Sequence, residues 1–559
     1  MLKNTKKISI LFASLSFLFF LISMFLNKDY FEAIAYDSVF LYQGKQLLAI
    51  ILLFAAGFCF LCGVMKRLPA GWIVLYAFPA GACLWVFASL FLLLLGIPYT
   101  FGLTIGLIAL CLASIHGIRI WRFRRFASDS DGKRNGWNTA IPFFLLLLGL
   151  ACLASSGFVY KFVSYDSYFY FTNYGHTLTI TNNFRDIAGN NSFTLTNISQ
   201  FLPLLNSYAS FWGLDQCFQI QAFLAANTAI CFFYGLYEYC LSTKADGSLF
   251  PLKGASAHGN ALLFSALFTL LLLSSTSFIT VASWVLANMY CMVYIFMLFL
   301  SSFLVSHLQY EKGDSLILIS IWFAALTLLR KDGIIFAAFF LICFCAGELF
   351  SKKQLALCFL PAVFAEAAWL FYVRVVLSAK VSQATYSSIA NNKNIFFVCC
   401  IIAGSILYLL IAHDILKWLE RKIPALTEYI VLFAGMLMLF AASIKMKNLD
   451  IIIDNVDFVI RNMFRYPSSW GISALFFGVL LTFSLTALLR LDYLHFLWSG
   501  YAFLNLVSYC IVDNKSFWLN WDDSYNRVLL QIVPVFVFIM AVKILPLLQS
   551  GKQDRSSES

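Results

Sequence analysis

The sequence predicts an all-α polytopic membrane protein. Three observations carry that expectation. Hydrophobic residues fill 61% of the 559 positions and charged residues only 12%, more apolar surface than a soluble core needs. The apolar residues fall in runs of about 20, the length that crosses a bilayer as a helix. Lys and Arg gather in the short stretches between alternate runs, the pattern of cytoplasmic loops.

The first run, in "MLKNTKKISILFASLSFLFFLISMFL", is too long for a signal-peptide core and lacks an A-x-A-like site. It reads as an uncleaved span over 7–26. Further spans are expected at 46–65, 72–95, 101–118, 139–159, 217–240, 259–277, 284–305, 355–376, 395–413, 428–444, 471–489, 493–511 and 527–547. The apolar block 315–350 is interrupted by "LRKDG" and divides into 315–329 and 334–350. The total is about sixteen transmembrane helices, with about thirteen as the lower bound.

Lys3, Lys6 and Lys7 place the N-terminus in the cytoplasm. Alternation then puts "MKR", "RIWRFRRFASDSDGKR", "SKK", "KWLERK" and the C-terminal tail on that side as well. Both termini are therefore expected in the cytoplasm of a multi-pass cell-membrane protein. Four longer loops fall outside, at 160–216, 377–394, 445–470 and 512–526. The polar stretch 119–138 separates a four-helix membrane unit, 1–138, from a larger module, 139–547. Residues 548–559 form a cytoplasmic tail.

Composition also removes some function classes. The net charge of +11 resides in loops and serves topology, so nucleic acid is not an expected partner. The 15 Cys lie mostly within apolar runs, as small hydrophobes. No metal-spaced set appears, so no metal site and no cofactor is expected; a divalent cation would have no motif to hold it. GxxxxGK[ST], HExxH and GxSxG are all missing.

The chemistry-bearing residues concentrate where the chain leaves the membrane on the outer side. In "YDSYFYFTNYG", Asp166, Tyr170, Asn173 and Tyr174 are spaced i, i+4, i+7 and i+8, one face of a helix. Such a segment suits short interfacial helices in the loop 160–216, with the carboxylate at headgroup depth. Asp166 has two readings: a solvated acid in an aromatic anchor, or a functional carboxylate. Further along, Arg185 and Asp186 are either a solvated pair or substrate contacts. Pro203 reads as a chain break, and Asp215 as the cap of the next span.

In "LTLLRKDGII", Arg330 and Lys331 interrupt an apolar block. A charge at a helix centre costs roughly 2.5–3.5 kcal/mol on insertion scales, so these cations need a partner or a surface. They are either a helical hairpin tip turned at Gly333 or a binding place for a phosphate anion. Arg527 opens the last span, in "NRVLLQIVP", as an interfacial anchor or a further cation for the same anion.

Taken together, the order of these elements resembles the GT-C superfamily of integral membrane glycosyltransferases, in the bacterial dolichyl-phosphate-mannose-mannosyltransferase-like group. The similarity covers roughly 139–547. Asp166 matches the family's essential acid in the first outer loop. "RKDG" is similar to an R-P-x-G type element, with Lys331 where Pro is common. "NRVLLQIVP" is similar to R-Y-L-L-P-x-x-P, with Val528 and Gln531 as departures. Ser167 stands where a second acid is often found, and the spans over 7–118 have no counterpart.

The resemblance implies a GT-C-like bundle and a polyprenyl-phosphate-linked sugar as donor. It implies an acceptor glycan, lipid or protein of the cell envelope, met on the outer face. Asp166 would be the general base. Arg330, Lys331 and Arg527 would hold the lipid phosphate, and Tyr170, Asn173, Tyr174 and Arg185 would meet sugar or acceptor. The rival readings are a transporter or flippase of lipid-linked glycans and a non-enzymatic assembly protein. A transporter needs polar residues along a path through the bilayer. Few spans carry them; Glu366 and Arg374 in "AEAAWLFYVR" do, and can pair with each other.

Overall fold

The computed structural model describes residues 2–26, 39–125, 140–156, 172–183, 199–214, 218–243, 257–275, 277–279, 287–330, 333–376, 392–422, 470, 473–488, 492, 494–495, 497–500 and 529–550. Among them there are helices, turns and bends but no strand. The order is α1 (Leu2–Leu26), α2 (Val39–Val64), α3 (Ala70–Leu94), α4 (Phe101–Arg125) and α5 (Ile141–Ser155). Two short helices follow, α6 (Asn173–Thr181) and α7 (Phe201–Phe211). Then come α8 (Phe218–Ser242), α9 (Ala257–Leu273), α10 (Ala287–Ser306), α11 (Lys312–Leu329), α12 (Gly333–Ala346) and α13 (Lys352–Phe371). The last are α14 (Asn392–Leu407), α15 (His413–Glu420), α16 (Ser473–Leu488) and α17 (Val533–Ser550). Wider π-type turns extend α13 over Tyr372–Val376 and join α14 to α15 over Tyr408–Ala412.

Among the described residues, 9 helices are long and apolar enough to cross a membrane, and shorter apolar helices stand at Ile141–Ser155, Ala257–Leu273, Gly333–Ala346, Ser473–Leu488 and Val533–Leu548. This is an all-α, multi-pass membrane architecture. Every expected span has its helix except 428–444, which lies outside the described residues, and 493–511, which is described only in part.

Local chemistry sets several boundaries. Ser351 and Gln354 form a reciprocal capping box that starts α13. Pro79 lies inside α3 and has no N–H for the carbonyl of Leu75. The side chain of Asn227 on α8 donates to that carbonyl at 2.9 Å, so the proline leaves no bare acceptor in an apolar interior.

Packing separates inner helices from outer ones. In α10 every residue from Met289 to Leu304 is buried, as expected for a helix that is apolar all round. The faces of α4 and α14 instead leave Leu103, Leu110, Phe396 and Leu407 exposed. Their backbone groups are satisfied within the helix, so such faces can meet lipid tails.

The loops sort into two ends. At one end, Asp314 at the start of α11 is buried and accepts four backbone hydrogen bonds. Lys66 N–H reaches both oxygens (2.9 and 3.1 Å), and Arg67 and Leu68 N–H reach Oδ2 at 2.7 Å each. The carboxylate thereby clamps the α2–α3 turn onto α11. Glu348 pairs with Lys417 in α15 at the α12–α13 turn, and Lys352 pairs with Asp414. These exposed pairs add little stability, but they show which loops are neighbours. The "MKR", "SKK" and "KWLERK" stretches, expected on one side, supply groups to these contacts.

Asp314→Ala removes the one acceptor that those three N–H groups have among the described residues. Hydrogen bonds to a charged group are worth about 1.5–3 kcal/mol each and do not add fully, so a loss on the order of 3–5 kcal/mol is expected. A lower melting temperature of the detergent-purified protein would show it; an unchanged melt would mean that the clamp contributes nothing.

The loop 160–216 contains two short helices among its described residues. Phe201, Leu202, Leu204, Leu205 and Tyr208 are fully buried, so α7 is packed inside the bundle. Trp85 Nε1 on α3 donates to Leu204 O at 3.1 Å, and the Tyr208 hydroxyl donates to Ala49 O on α2 at 2.7 Å. Pro203 does not break the chain. It occupies the first turn of α7, where the missing N–H has no intrahelical acceptor to lose. The helix cap assigned to Asp215 lies outside the described residues.

Candidate functional site

The site is built where α11 stops. Leu329 ends the helix, and Arg330 is extended at φ −146° and ψ 155°. The N–H of Gly333 donates to Arg330 O at 2.9 Å as α12 begins. A Cβ at Gly333 would stand 1.9 Å from Leu326 O, so only glycine permits so tight a reversal. The interrupted block 315–350 is therefore a helical hairpin, and its tip carries Arg330. Lys331 lies outside the described residues.

The Arg330 side chain points to neighbours that are distant in sequence. Its Nη1 donates to Asn288 Oδ1 on α10 at 2.6 Å, and Gln531 Nε2 donates to the same oxygen at 2.9 Å. Gln531 belongs to "NRVLLQIVP". The helix break and the last expected span thus meet at Asn288. Arg527 lies outside the described residues.

Beside Arg330 is a cavity of about 200 Å³. Its walls include Gln200, Thr327, Arg330, Glu366, Trp369 and Asn394. These come from the start of α7, the end of α11, the C-terminal half of α13 and the start of α14. The cavity therefore sits at the end of the bundle opposite the Asp314 clamp, with Ser199 and Gln200 of the loop 160–216 in its wall.

Tyr174, at the described end of the aromatic segment, is tied to this cavity. Tyr174 is fully buried, and its hydroxyl donates to Gln200 Oε1 at 3.0 Å. Burial pushes the Tyr174 phenol well above its ordinary pKa, with Tyr372 adding to the shift, so it remains a neutral donor. Gly175 allows the approach: a Cβ there would stand 2.8 Å from Pro203 O and from Asn206 Cβ on α7. Asn173, by contrast, is exposed. The two do not share a face, because adjacent helical residues point about 100° apart. Asp166, Tyr170 and Arg185 lie outside the described residues.

The first four helices support the same region. Tyr99, in the turn before α4, donates its N–H to Asn182 O at the end of α6 at 2.9 Å. Its hydroxyl contacts Ser207 Oγ on α7 at 2.5 Å and accepts from Ser89 Oγ at 3.3 Å. Burial raises the Tyr99 phenol to about 12, so it too stays neutral.

Glu366 departs from its expected role. No hydrogen bond or ion pair joins it to another described residue, and the expected pairing with Arg374 is not made. The two lie eight positions apart on one helical element, about 12 Å of rise at 1.5 Å per residue, farther than the side chains bridge. Glu366 instead faces the cavity, 8% exposed. Gln200, Asn288 and Asn394 carried no signal in the sequence, since uncharged amides are common at helix ends, and Gln531 entered only as a departure from a motif.

The arrangement offers a guanidinium, a carboxylate, amides and aromatic walls around one small space at a helix-end surface. That set can hold an anion at one side and a hydroxyl-rich group at the other. Among the described residues no cluster of His, Cys, Asp and Glu could hold a metal ion. No family model matches this chain, and neither a curated protein nor a solved structure shows significant similarity to it.

Proposed function

We propose that the protein is a membrane glycosyltransferase of GT-C type. It moves a sugar from a polyprenyl-phosphate-linked donor to a cell-envelope acceptor, a glycan, lipid or protein, on the outer face of the cell membrane. The observation that carries this reading is Arg330. It is a cation at a helix break, held by Asn288 beside Gln531, and it lines a cavity linked through Gln200 to the Tyr174 segment.

In this reading Arg330 faces the lipid phosphate, with Lys331 and Arg527 as further cations. An acceptor hydroxyl attacks the anomeric carbon of the sugar. The bond from that carbon to the phosphate oxygen breaks, and its electron pair leaves on the lipid phosphate. Asp166, a few residues before α6, takes the hydroxyl proton. The ends gathered around Asp314, Glu348 and Lys417 face the cytoplasm, as do both termini. The test is transfer by the purified protein from a panel of polyprenyl-phosphate-linked sugars to cell-envelope acceptors. Release of lipid phosphate matched by glycosylated acceptor is the expected result; no transfer from any donor would overturn the reading.

A further inference from the structure

Glu366 is a carboxylate at 8% exposure with no partner among the described residues. A desolvated carboxylate without hydrogen bonds is costly, and nearly all buried polar groups in native proteins find a partner. Nothing in the packing of α13 requires it: its neighbours on that helix face, Trp369 and Leu370, are apolar. It does line the same cavity as Arg330.

The shared cavity narrows what can satisfy it. A cation would meet the guanidinium of Arg330 in the same small space, and like charge opposes that. Water alone would leave the aromatic walls without a role. A neutral, hydroxyl-rich group answers both demands, because vicinal hydroxyls donate to a carboxylate while the ring's C–H face packs on Trp369 and Phe397. The cavity, about 200 Å³, is smaller than the roughly 300–1,000 Å³ of drug-sized sites. That space suits a single sugar ring.

We infer that Glu366 is the specificity-determining residue for the donor, accepting hydrogen bonds from the hydroxyls of a single sugar ring whose phosphate faces Arg330. The inference rests on the glycosyltransferase reading and assigns the sugar end of that donor to Glu366. Asn394 and Gln200 complete the polar wall, and Trp369 with Phe397 supplies the apolar one. A carboxylate without a partner among the described residues costs stability, and in this reading that cost serves recognition.

The experiment uses full-length protein in detergent, with farnesyl phosphate and its glucosyl, mannosyl and galactosyl phosphodiesters as probes, and affinities from thermal-shift titration. For the wild type, at least one sugar ester is expected to bind about tenfold tighter than farnesyl phosphate. Glu366→Gln is expected to bind farnesyl phosphate as before, to lose the extra affinity for every ester, and to melt at a higher temperature without ligand. An added affinity that survives in Glu366→Gln overturns the inference. So does a lower melting temperature in that variant, which would mark a structural carboxylate. Wild-type binding of farnesyl phosphate with no gain from any sugar overturns the sugar subsite and leaves the phosphate reading standing. No binding of any probe to the wild type overturns both.

Discussion

Asp166→Asn is expected to give a folded, membrane-inserted protein whose sugar transfer falls by about 10²-fold or more, the usual weight of a general base. Asn keeps the shape of Asp and can still accept a hydrogen bond at its amide oxygen, but it cannot take up a proton. An acid that serves only as an interfacial anchor would tolerate the change within about ±0.5 kcal/mol of stability, with transfer unchanged. The two roles therefore separate cleanly when transfer and melting are measured side by side. Asp215→Asn is the internal control: that acid is assigned to a helix cap, and its substitution is expected to cost far less. Full activity in Asp166→Asn would leave the aromatic segment without a catalytic role.

The spans were legible because length and apolarity are enough to mark a transmembrane helix. Where helix and apolar run differ, polar residues explain the difference. The helix α2 begins at Val39, ahead of the run at 46–65, since Gln43 is buried and accepts from Ser23 Oγ at 3.1 Å while donating to Ser156 O at 2.9 Å. Paired in this way, an amide extends a helix that hydropathy alone would end. The short helix α7 was hidden for the opposite reason. Its residues 201–211 are too few to span, and Pro203 looks like a break until its first-turn position is known.

The candidate site was legible only through its charges. Arg330 stood out because a cation within an apolar block demands a cause. Tyr174 stood out with the aromatic segment, although its buried direction did not. Asn288 and Gln200 could not stand out, because their importance comes from the meeting of segments far apart in the chain. Glu366 was visible as a charge, but a sequence does not say toward which neighbour a residue on a helix turns. Its placement on the cavity wall is a property of how α13 packs against α11 and α14.

Arg330→Gln is expected to lower transfer by about 10²–10³-fold, the loss seen when a group that stabilises developing charge is removed from a water-poor site. The argument starts from the leaving group. As the sugar departs, negative charge grows on the lipid phosphate, and a nearby guanidinium is worth more there than in the bound donor. The hairpin tip is still held by Gly333, which makes the reversal, and Gln531 still donates to Asn288. The variant should therefore melt close to the wild type while losing affinity for farnesyl phosphate. Arg330→Lys restores the charge but not the planar fork that grips Asn288 and a phosphate together, so partial recovery is expected. A purely structural Arg330 predicts a different pattern: a lower melting temperature in both variants, with farnesyl phosphate bound as tightly as before by whatever folds. Measured affinity for that probe, set against the melting temperature in the same detergent, decides between the two.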